Sequence, residues 1–471
     1  MAAVLCLREA SMLFSGIPFL YYFLPTVVLI YFLAPGKWRN GVLLLSSLLF
    51  YGWGEPKYIL LMLVTIFVFF GAGLAMGRIQ DRKRQKTVLS LAIAFGVLLL
   101  GIFKYLDFFL SNFGAITGLP VKLLRLALPI GISFYTFQCM SYVIDVYRGN
   151  VPAQKNIVTF GAYVALFPQL IAGPIVRYVD VAKELESRNT TWDDAYLGAR
   201  RFVMGLAKKV LLANQLGQLT EVYRASQQQS VLFAWMYAVA FTLHIYFDFS
   251  GYSDMAIGLG RIFGFHFPEN FNYPYLSRSI TEFWRRWHMT LGGWFRDYVY
   301  IPLGGNRVTR PRWVFNILVV WMLTGLWHGA SWNFVIWGLF FAALLLLEKL
   351  LPAIGRLPET VKHIYVMLLI IISFVIFNGA DMAQAGRDLA SMFGAAGLPL
   401  VTGDTIYYLR SYAVVFLLAI VGSAPLMKGL EQRLPEKARA VLEPLGMLLL
   451  LLLCTAYLVD GSFNPFLYFR F

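Results

Sequence analysis

The stretch YILLMLVTIFVFFGAGLAM, Tyr58–Met76, contains no charged side chain. A helix needs about 20 apolar residues to cross a hydrocarbon core of roughly 30 Å. Backbone groups in lipid must form their hydrogen bonds internally, which leaves helices or a closed barrel. The stretch lacks the alternation of apolar and polar residues that a barrel strand requires. It therefore predicts a membrane-spanning α-helix.

The composition extends this prediction to the whole chain. Of 471 residues, 59% are hydrophobic and only 14% are charged, whereas a soluble domain has about a quarter charged residues. Apolar runs separated by turn or charge signals predict an all-α, polytopic integral membrane protein with about ten to twelve membrane-embedded helices. The segment 264–312, rich in Gly, Pro, Trp and Arg, predicts interfacial and re-entrant helices, because irregular backbone at membrane depth needs cover from protein or water.

The net charge of +15 comes from 40 basic and 25 acidic residues. The basic residues lie in short loops between apolar runs, as in RIQDRKRQK, Arg78–Lys86. Such a loop is typical of the cytoplasmic side of a membrane. We therefore attribute the positive charge to membrane topology and attraction to anionic lipid, and we expect no nucleic-acid partner.

The chain has no feature of a disulfide framework or a metal site. Cys6, Cys139 and Cys454 lie far apart and read as small core residues. Residues 1–11 are predicted to be an N-terminal extension ahead of Met12. Residues 12–471 show no repeat or separable soluble segment, so we predict a single membrane domain there.

His328 lies within WMLTGLWHGASWNFVIWG, Trp321–Gly338, which is almost wholly apolar. An ionisable side chain at membrane depth is costly and suggests a functional site. Gly325 and Gly329 form a G-x-x-x-G pair that favours the close approach of another helix. A core histidine bonded to a neighbour explains the same position equally well.

His288 lies in FWRRWHMTLGGW, Phe283–Trp294. Trp and Arg are common at the headgroup level of a membrane, so an interfacial anchor without catalytic function is one interpretation. The other three histidines, His244, His266 and His363, are interpreted as structural or interfacial residues.

Three motifs follow one another in a characteristic order: FWRRWH (Phe283–His288), IPLGGNR (Ile301–Arg307) and LTGLWHG (Leu323–Gly329). With MLFSG near the N-terminus and the final NPFLYFRF, the chain resembles the membrane-bound O-acyltransferase (MBOAT) superfamily over nearly its whole length. Within it, the chain is similar to the bacterial branch of alginate O-acetylases, and the teichoic acid D-alanyl transferases are more distant.

The resemblance implies a helical shell around a central funnel in which an acyl donor and an acceptor meet. His328 matches the superfamily's invariant histidine, and His288 matches its second, more variable position. It further implies a multi-pass protein of the bacterial inner (cytoplasmic) membrane, a cytoplasmic acyl donor such as acetyl-CoA or an acyl-carrier-protein thioester, no bound cofactor, and an extracytoplasmic esterase-like acetyltransferase as partner. Membrane lipid is the remaining partner.

The chemistry of acyl transfer agrees with this assignment. A sugar hydroxyl attacks a thioester only when a base removes its proton, and a neutral imidazole is such a base at cellular pH. We predict that His328 is the base that removes this proton. We expect the acetyl group to reach an extracytoplasmic polysaccharide, either alginate-like or another cell-surface glycan. We predict that His288 orients the acceptor or donates to the thioester oxygen.

Several residues are predicted to bind the donor or the substrate. Arginine side chains can hold the phosphates of an acyl donor, although charges that set topology explain the same residues. Asp248 and Asp254 in YFDFSGYSD would line the cavity or bind the polysaccharide, whereas helix capping explains them too. The candidates are Arg285, Arg286, Trp287, Arg307, Asp248, Trp327 and Asn333, and we predict no metal ligands.

Two other interpretations remain at this stage. A transporter or polymer-export channel accounts for the membrane helices and the basic loops, but it gives no reason for the two histidine motifs. An acyltransferase acting on lipid, peptidoglycan or teichoic acid keeps the chemistry and changes the acceptor.

Overall fold

The computed structural model describes residues 14–426, 429, 433–460, 464 and 467. All regular elements within these residues are helical, which confirms the all-α prediction. The predicted N-terminal extension, residues 1–11, lies outside the described residues.

The α-helices in chain order are α1 (Leu24–Leu33), α2 (Arg39–Gly54), α3 (Ile59–Arg78), α4 (Arg82–Leu100), α5 (Leu106–Thr117), α6 (Ile132–Arg148), α7 (Ile157–Ala165), α8 (Phe167–Leu170), α9 (Tyr178–Glu186), α10 (Trp192–Ala207), α11 (Asn214–Ala225), α12 (Val231–Ile262), α13 (Ile280–Arg286), α14 (Met289–Phe295), α15 (Arg310–His328), α16 (Trp332–Leu350), α17 (Pro352–Gly355), α18 (Glu359–Asn378), α19 (Met382–Met392), α20 (Gly403–Gly422) and α21 (Glu436–Val459). Four π-helical segments are Phe19–Phe23, Gly101–Tyr105, Lys208–Ala213 and Arg296–Tyr300, and two 3₁₀ segments are Gly36–Trp38 and Pro274–Leu276.

Within the described chain, seven helical segments are long and apolar enough to cross a membrane. They are Ile59–Arg78, Arg82–Thr117, Val231–Ile262, Trp332–Leu350, Glu359–Asn378, Gly403–Gly422 and Glu436–Val459. The expected ten to twelve membrane-embedded helices are not confirmed. Several apolar runs form shorter helices instead, such as α2 with 16 residues and α7 with 9, and a run's hydropathy does not reveal where its helix ends.

Apolar side chains cover the outside of the last two membrane helices. Leu417 on α20 is 62% exposed and Leu449 on α21 is 58% exposed. Helix α12, by contrast, is buried along most of its length. Lipid tails are as apolar as leucine, so the exposed leucines indicate lipid-facing helices, as expected of a membrane protein.

The described residues group into two compact units. One comprises the residues up to Phe202 together with Tyr252–Pro268, and the other comprises Val203–Gly251 together with the residues from Glu269 onward. The first unit has an aromatic core in which the ring of Tyr142 lies 4.7 Å from Phe160 and 5.0 Å from Tyr178. The second unit contains both histidine motifs.

Helices α15 and α16 lie in very close contact. A Cβ atom added to Gly325 would lie 2.2 Å from the Phe334 carbonyl oxygen, and one added to Gly338 would lie 2.2 Å from the Trp321 carbonyl oxygen. Gly329 also borders α16, since a Cβ atom there would meet the Phe334 ring. Both glycines of the G-x-x-x-G pair thus face the neighbouring helix, which fixes the end of α15 where His328 lies.

We predict that Gly325→Ala destabilises the protein because the new methyl group meets backbone atoms that cannot move aside. Overpacking of this kind costs about 1–3 kcal/mol. The matched control is Gly71→Ala in α3, where a Cβ atom meets nothing within 4 Å. Thermal unfolding in detergent measures the difference. A melting temperature of Gly325→Ala equal to that of Gly71→Ala would contradict the close packing.

Candidate active site

A small buried cavity lies within the second unit. Its lining includes Asp248, Phe249, Trp287, His328, Trp337 and Phe377. Its volume is about 20 Å³, which accommodates about one water molecule. An acyl group is larger, so it enters only when lining side chains move aside. The cavity is mainly aromatic, with one imidazole and one carboxylate in its wall.

His328 is the last residue of α15, and its side chain is 7% exposed. The ring packs edge-on against Trp327, Trp337 and Phe377, with centroid distances of 5.0, 5.1 and 5.2 Å. Such edge-to-face pairs hold the ring in one orientation. The aromatic surroundings therefore position the His328 imidazole at the cavity wall.

His288 lies in the turn between α13 and α14 and is 2% exposed. Its ring contacts Phe249 at 4.6 Å and Trp327 at 5.7 Å between centroids. Trp327 also contacts His328, so one indole lies against both imidazoles. Burial lowers the pKa of His288 well below its ordinary value of 6.5, and the neighbouring His328 lowers the pKa further. His288 is therefore neutral at cellular pH.

A carboxylate on α16 anchors the helix that precedes His288. Glu348 accepts hydrogen bonds from the backbone N–H groups of Ile280 (2.6 Å) and Thr281 (3.2 Å). These N–H groups belong to the first turn of α13, which has no intrahelical acceptors for them. The negative charge also complements the helix dipole. Helix α13, which contains the first four residues of the FWRRWH motif, is thus bonded to α16 at its first turn.

Asp248 lines the cavity, but both of its oxygens have partners. Lys209 lies 2.6 Å from Oδ1, and the backbone N–H of Leu467 donates to Oδ2 at 3.0 Å. Lys209 and Asp248 are both almost fully buried. Lys209 belongs to the π-helical segment Lys208–Ala213, a feature often found at functional sites. Asp248 is thereby part of a buried ion pair in the cavity wall.

The remaining predicted residues have different surroundings. Trp287 lines the cavity and Trp327 contacts both histidines. Asn333 donates to the Gly379 carbonyl at 2.9 Å, beyond the end of α18, and so supports the helix that carries Phe377. Asp254 belongs to the first unit and pairs with Arg201.

The three predicted donor-binding arginines are not among the residues that line the cavity. Arg285 and Arg307 are exposed. Arg286 pairs with Glu282 on its own helix and donates to the Asn272 carbonyl. Within the described residues, no group of His, Cys, Asp or Glu could hold a metal ion.

Three residues at this site escaped the sequence analysis. Asn270 contacts His288, Trp337 contacts His328, and Lys209 pairs with Asp248. Lysine in the middle of the apolar stretch AKKVLLA was a detectable signal, because a charge in such surroundings needs a partner. Asn270 and Trp337 carry no comparable signal, since their importance follows from tertiary contacts.

Comparisons with known proteins agree with the sequence motifs. The family model of MBOAT, the membrane-bound O-acyltransferase family, matches residues 45–379. A "Probable alginate O-acetylase" of Azotobacter vinelandii is 42% identical over 391 residues, covering 81% of this chain and 78% of that protein. A peptidoglycan O-acetyltransferase of Helicobacter pylori is 33% identical, covering 84% of this chain and 82% of that protein. A teichoic acid D-alanyltransferase of Bacillus subtilis is 30% identical over 46% of this chain and 58% of that protein.

These similarities replace the transport-only interpretation with an enzymatic one. The matched residues include both histidine motifs, since they extend from α2 to the end of α18. The alginate O-acetylase similarity covers most of both proteins. The chain therefore belongs to the membrane-bound O-acyltransferase family and is an O-acyltransferase.

Proposed function

We propose that this protein takes an acetyl group from a cytoplasmic thioester and passes it across the membrane for O-acetylation of an extracytoplasmic polysaccharide. The observation that carries the proposal is the position of His328 in the wall of a buried cavity, with His288 in contact with the same Trp327 ring as His328. The names of the relatives that act on alginate and peptidoglycan support a glycan as the acceptor.

His328 acts as the general base in this proposal. A ring nitrogen takes the proton from the acceptor hydroxyl, whose oxygen then bonds to the thioester carbonyl carbon. The carbon–sulfur bond breaks, and the departing sulfur takes the proton back from the imidazolium. The products are an acetyl ester and a free thiol, and His328 returns to its neutral form. A positioned base contributes about 10²–10⁴-fold to such a rate.

Trp337 is the proposed donor to the carbonyl oxygen, on which negative charge develops during the attack. Its side chain is 1% exposed, lines the cavity and contacts the His328 ring. Its indole N–H has no hydrogen-bond partner among the described residues. A buried donor without a partner is uncommon, and a thioester oxygen in the cavity would supply one.

The donor and the partner complete the proposal. Acetyl-CoA and an acyl-carrier-protein thioester both carry phosphate, which suits the exposed side chains of Arg285 and Arg307. We place the protein in the bacterial inner membrane, with an esterase-like acetyltransferase on the outer side that helps to complete the transfer. The final acceptor is alginate or another cell-surface glycan.

We predict that His328→Ala abolishes transfer, since no other group at this position takes the proton. Ester acetate on exported polysaccharide should fall to background, whereas His288→Ala lowers it without abolishing it. The matched control is His266→Ala, because that side chain is 61% exposed and pairs with Glu184. All variants should accumulate in the membrane as the wild type does.

The assay measures ester acetate on the exported polysaccharide and on peptidoglycan separately. Loss from the polysaccharide fraction supports the proposed acceptor. Wild-type acetate in the polysaccharide of His328→Ala cells would remove the base from the mechanism, and loss confined to peptidoglycan would assign the other acceptor.

We predict that Trp337→Phe keeps an aromatic ring at this position but loses the N–H donor. Removing one donor to a developing oxyanion costs about 10²–10³-fold in turnover. Transfer from radiolabelled acetyl-CoA in membrane vesicles, measured per amount of folded protein, should therefore fall at least tenfold. Turnover equal to that of the wild type would exclude the indole as the donor.

A further inference from the structure

Asn270 holds the turn that carries His288. Its backbone carbonyl accepts a hydrogen bond from the Met289 N–H at 2.9 Å. Its side-chain Oδ1 accepts from the Thr290 N–H at 3.3 Å and from the Thr290 hydroxyl at 2.9 Å, and lies 3.1 Å from His288 Nδ1. Asn270 is fully buried. One residue thus binds three consecutive residues at the start of α14.

These bonds determine which nitrogen of His288 carries the proton. A backbone N–H can only donate, so the Asn270 atom that faces the Thr290 N–H is the amide oxygen. That same oxygen faces His288 Nδ1 and can only accept. In the neutral ring, Nδ1 therefore carries the hydrogen and Nε2 has the lone pair. Nε2 is buried and has no hydrogen-bond partner among the described residues.

The backbone of His288 is also held in an uncommon conformation. Its φ of 44° and ψ of 51° lie in the left-handed region, which few non-glycine residues adopt. Such a conformation persists where surrounding contacts impose it, and it is found often at functional sites. The four hydrogen bonds between Asn270 and residues 288–290 are such contacts.

We propose that Asn270 is a positioning residue that fixes His288 as the Nδ1–H tautomer, so that Nε2 accepts a hydrogen bond from a second hydroxyl of the acceptor sugar, beside the hydroxyl that His328 deprotonates. The inference rests on the proposed function, which supplies that hydroxyl. It also chooses between the two roles predicted for His288. A neutral ring in this tautomer orients the acceptor, whereas donation to the thioester oxygen would require a proton on Nε2.

Ionisable and charged groups around His288 affect how its protonation responds to pH. His328 at the end of α15 is the neighbour that affects its protonation. The pair of Asp248 and Lys209 lies at the cavity that His328 lines, and Arg285 and Arg286 belong to the helix that precedes His288. A carboxylate at position 270 would add a negative charge in direct contact with Nδ1–H.

The experiment measures acetyl transfer from radiolabelled acetyl-CoA, or from acetylated acyl-carrier protein, in vesicles from cells expressing each variant. Asn270→Ala should lower turnover about 10- to 100-fold, because a misplaced reactant costs up to about 10²-fold, with a smaller effect on the donor KM. The matched control is Asn272→Ala, because that side chain is exposed and Asn272 bonds to Arg286 through its backbone N–H and carbonyl, which the substitution keeps.

Two further variants separate positioning from folding. Asn270→Asp keeps an acceptor for Nδ1–H and favours the imidazolium, so the acid limb of its pH–rate profile should move to higher pH than in the wild type. In a His288→Ala background, Asn270→Ala should cause no further loss, since coupled residues are not additive.

Each outcome tests either the positioning role of Asn270 or the proposed function. An unshifted acid limb for Asn270→Asp, a loss in Asn270→Ala that multiplies with that of His288→Ala, or turnover of Asn270→Ala equal to that of Asn272→Ala would overturn the positioning role. Transfer by His328→Ala vesicles at the wild-type rate would instead overturn the proposed function. When the wild type is active and His328→Ala is inactive, the proposed function holds, and the Asn270 variants then test only the positioning role.

Discussion

Burial of two imidazole rings among aromatic side chains is the constraint on which the rest of the site depends. Desolvation disfavours a charged imidazole, and burial lowers the pKa of His288 well below its ordinary value. The edge-on contacts of His328 with Trp327, Trp337 and Phe377 supply that environment. They also fill most of the space, which leaves a cavity of about 20 Å³. The aromatic packing that excludes water from the two rings therefore also restricts the entry of substrate.

Some of the polar groups around the rings are paired within the protein. Lys209 and the Leu467 N–H contact the carboxylate of Asp248, and Asn333 donates to the Gly379 carbonyl beyond α18. A buried charge without a partner would be costly. The atoms left without protein partners in the described structure include Nε2 of His288 and the Trp337 N–H, one acceptor and one donor. In the proposed mechanism the indole N–H donates to the thioester carbonyl oxygen and Nε2 orients the acceptor sugar, while His328 takes the proton.

The sequence predicted the parts of this site that local composition determines. Uncharged runs predicted the all-helical membrane fold, and two motifs indicated His288 and His328 as candidate site residues. The number of membrane-crossing helices did not follow, because hydropathy does not show where α2 or α7 ends. Asn270 was missed because its role arises from contacts with His288, 18 residues away. Lys209 lies beside an apolar run, which indicates a buried partner but does not identify it as Asp248, 39 residues away. Arg286 was predicted from its charge, yet that charge pairs with Glu282 on the same helix.

The most direct test of the account is a structure of the protein with a bound thioether analogue of its acetyl donor. We expect the acyl carbonyl to lie within about 4 Å of a His328 ring nitrogen, in the enlarged cavity beside Trp337, since reacting groups in a bound complex approach to hydrogen-bond range. An analogue bound elsewhere, with the His328 ring still enclosed by its aromatic neighbours, would contradict the role of His328 as the base.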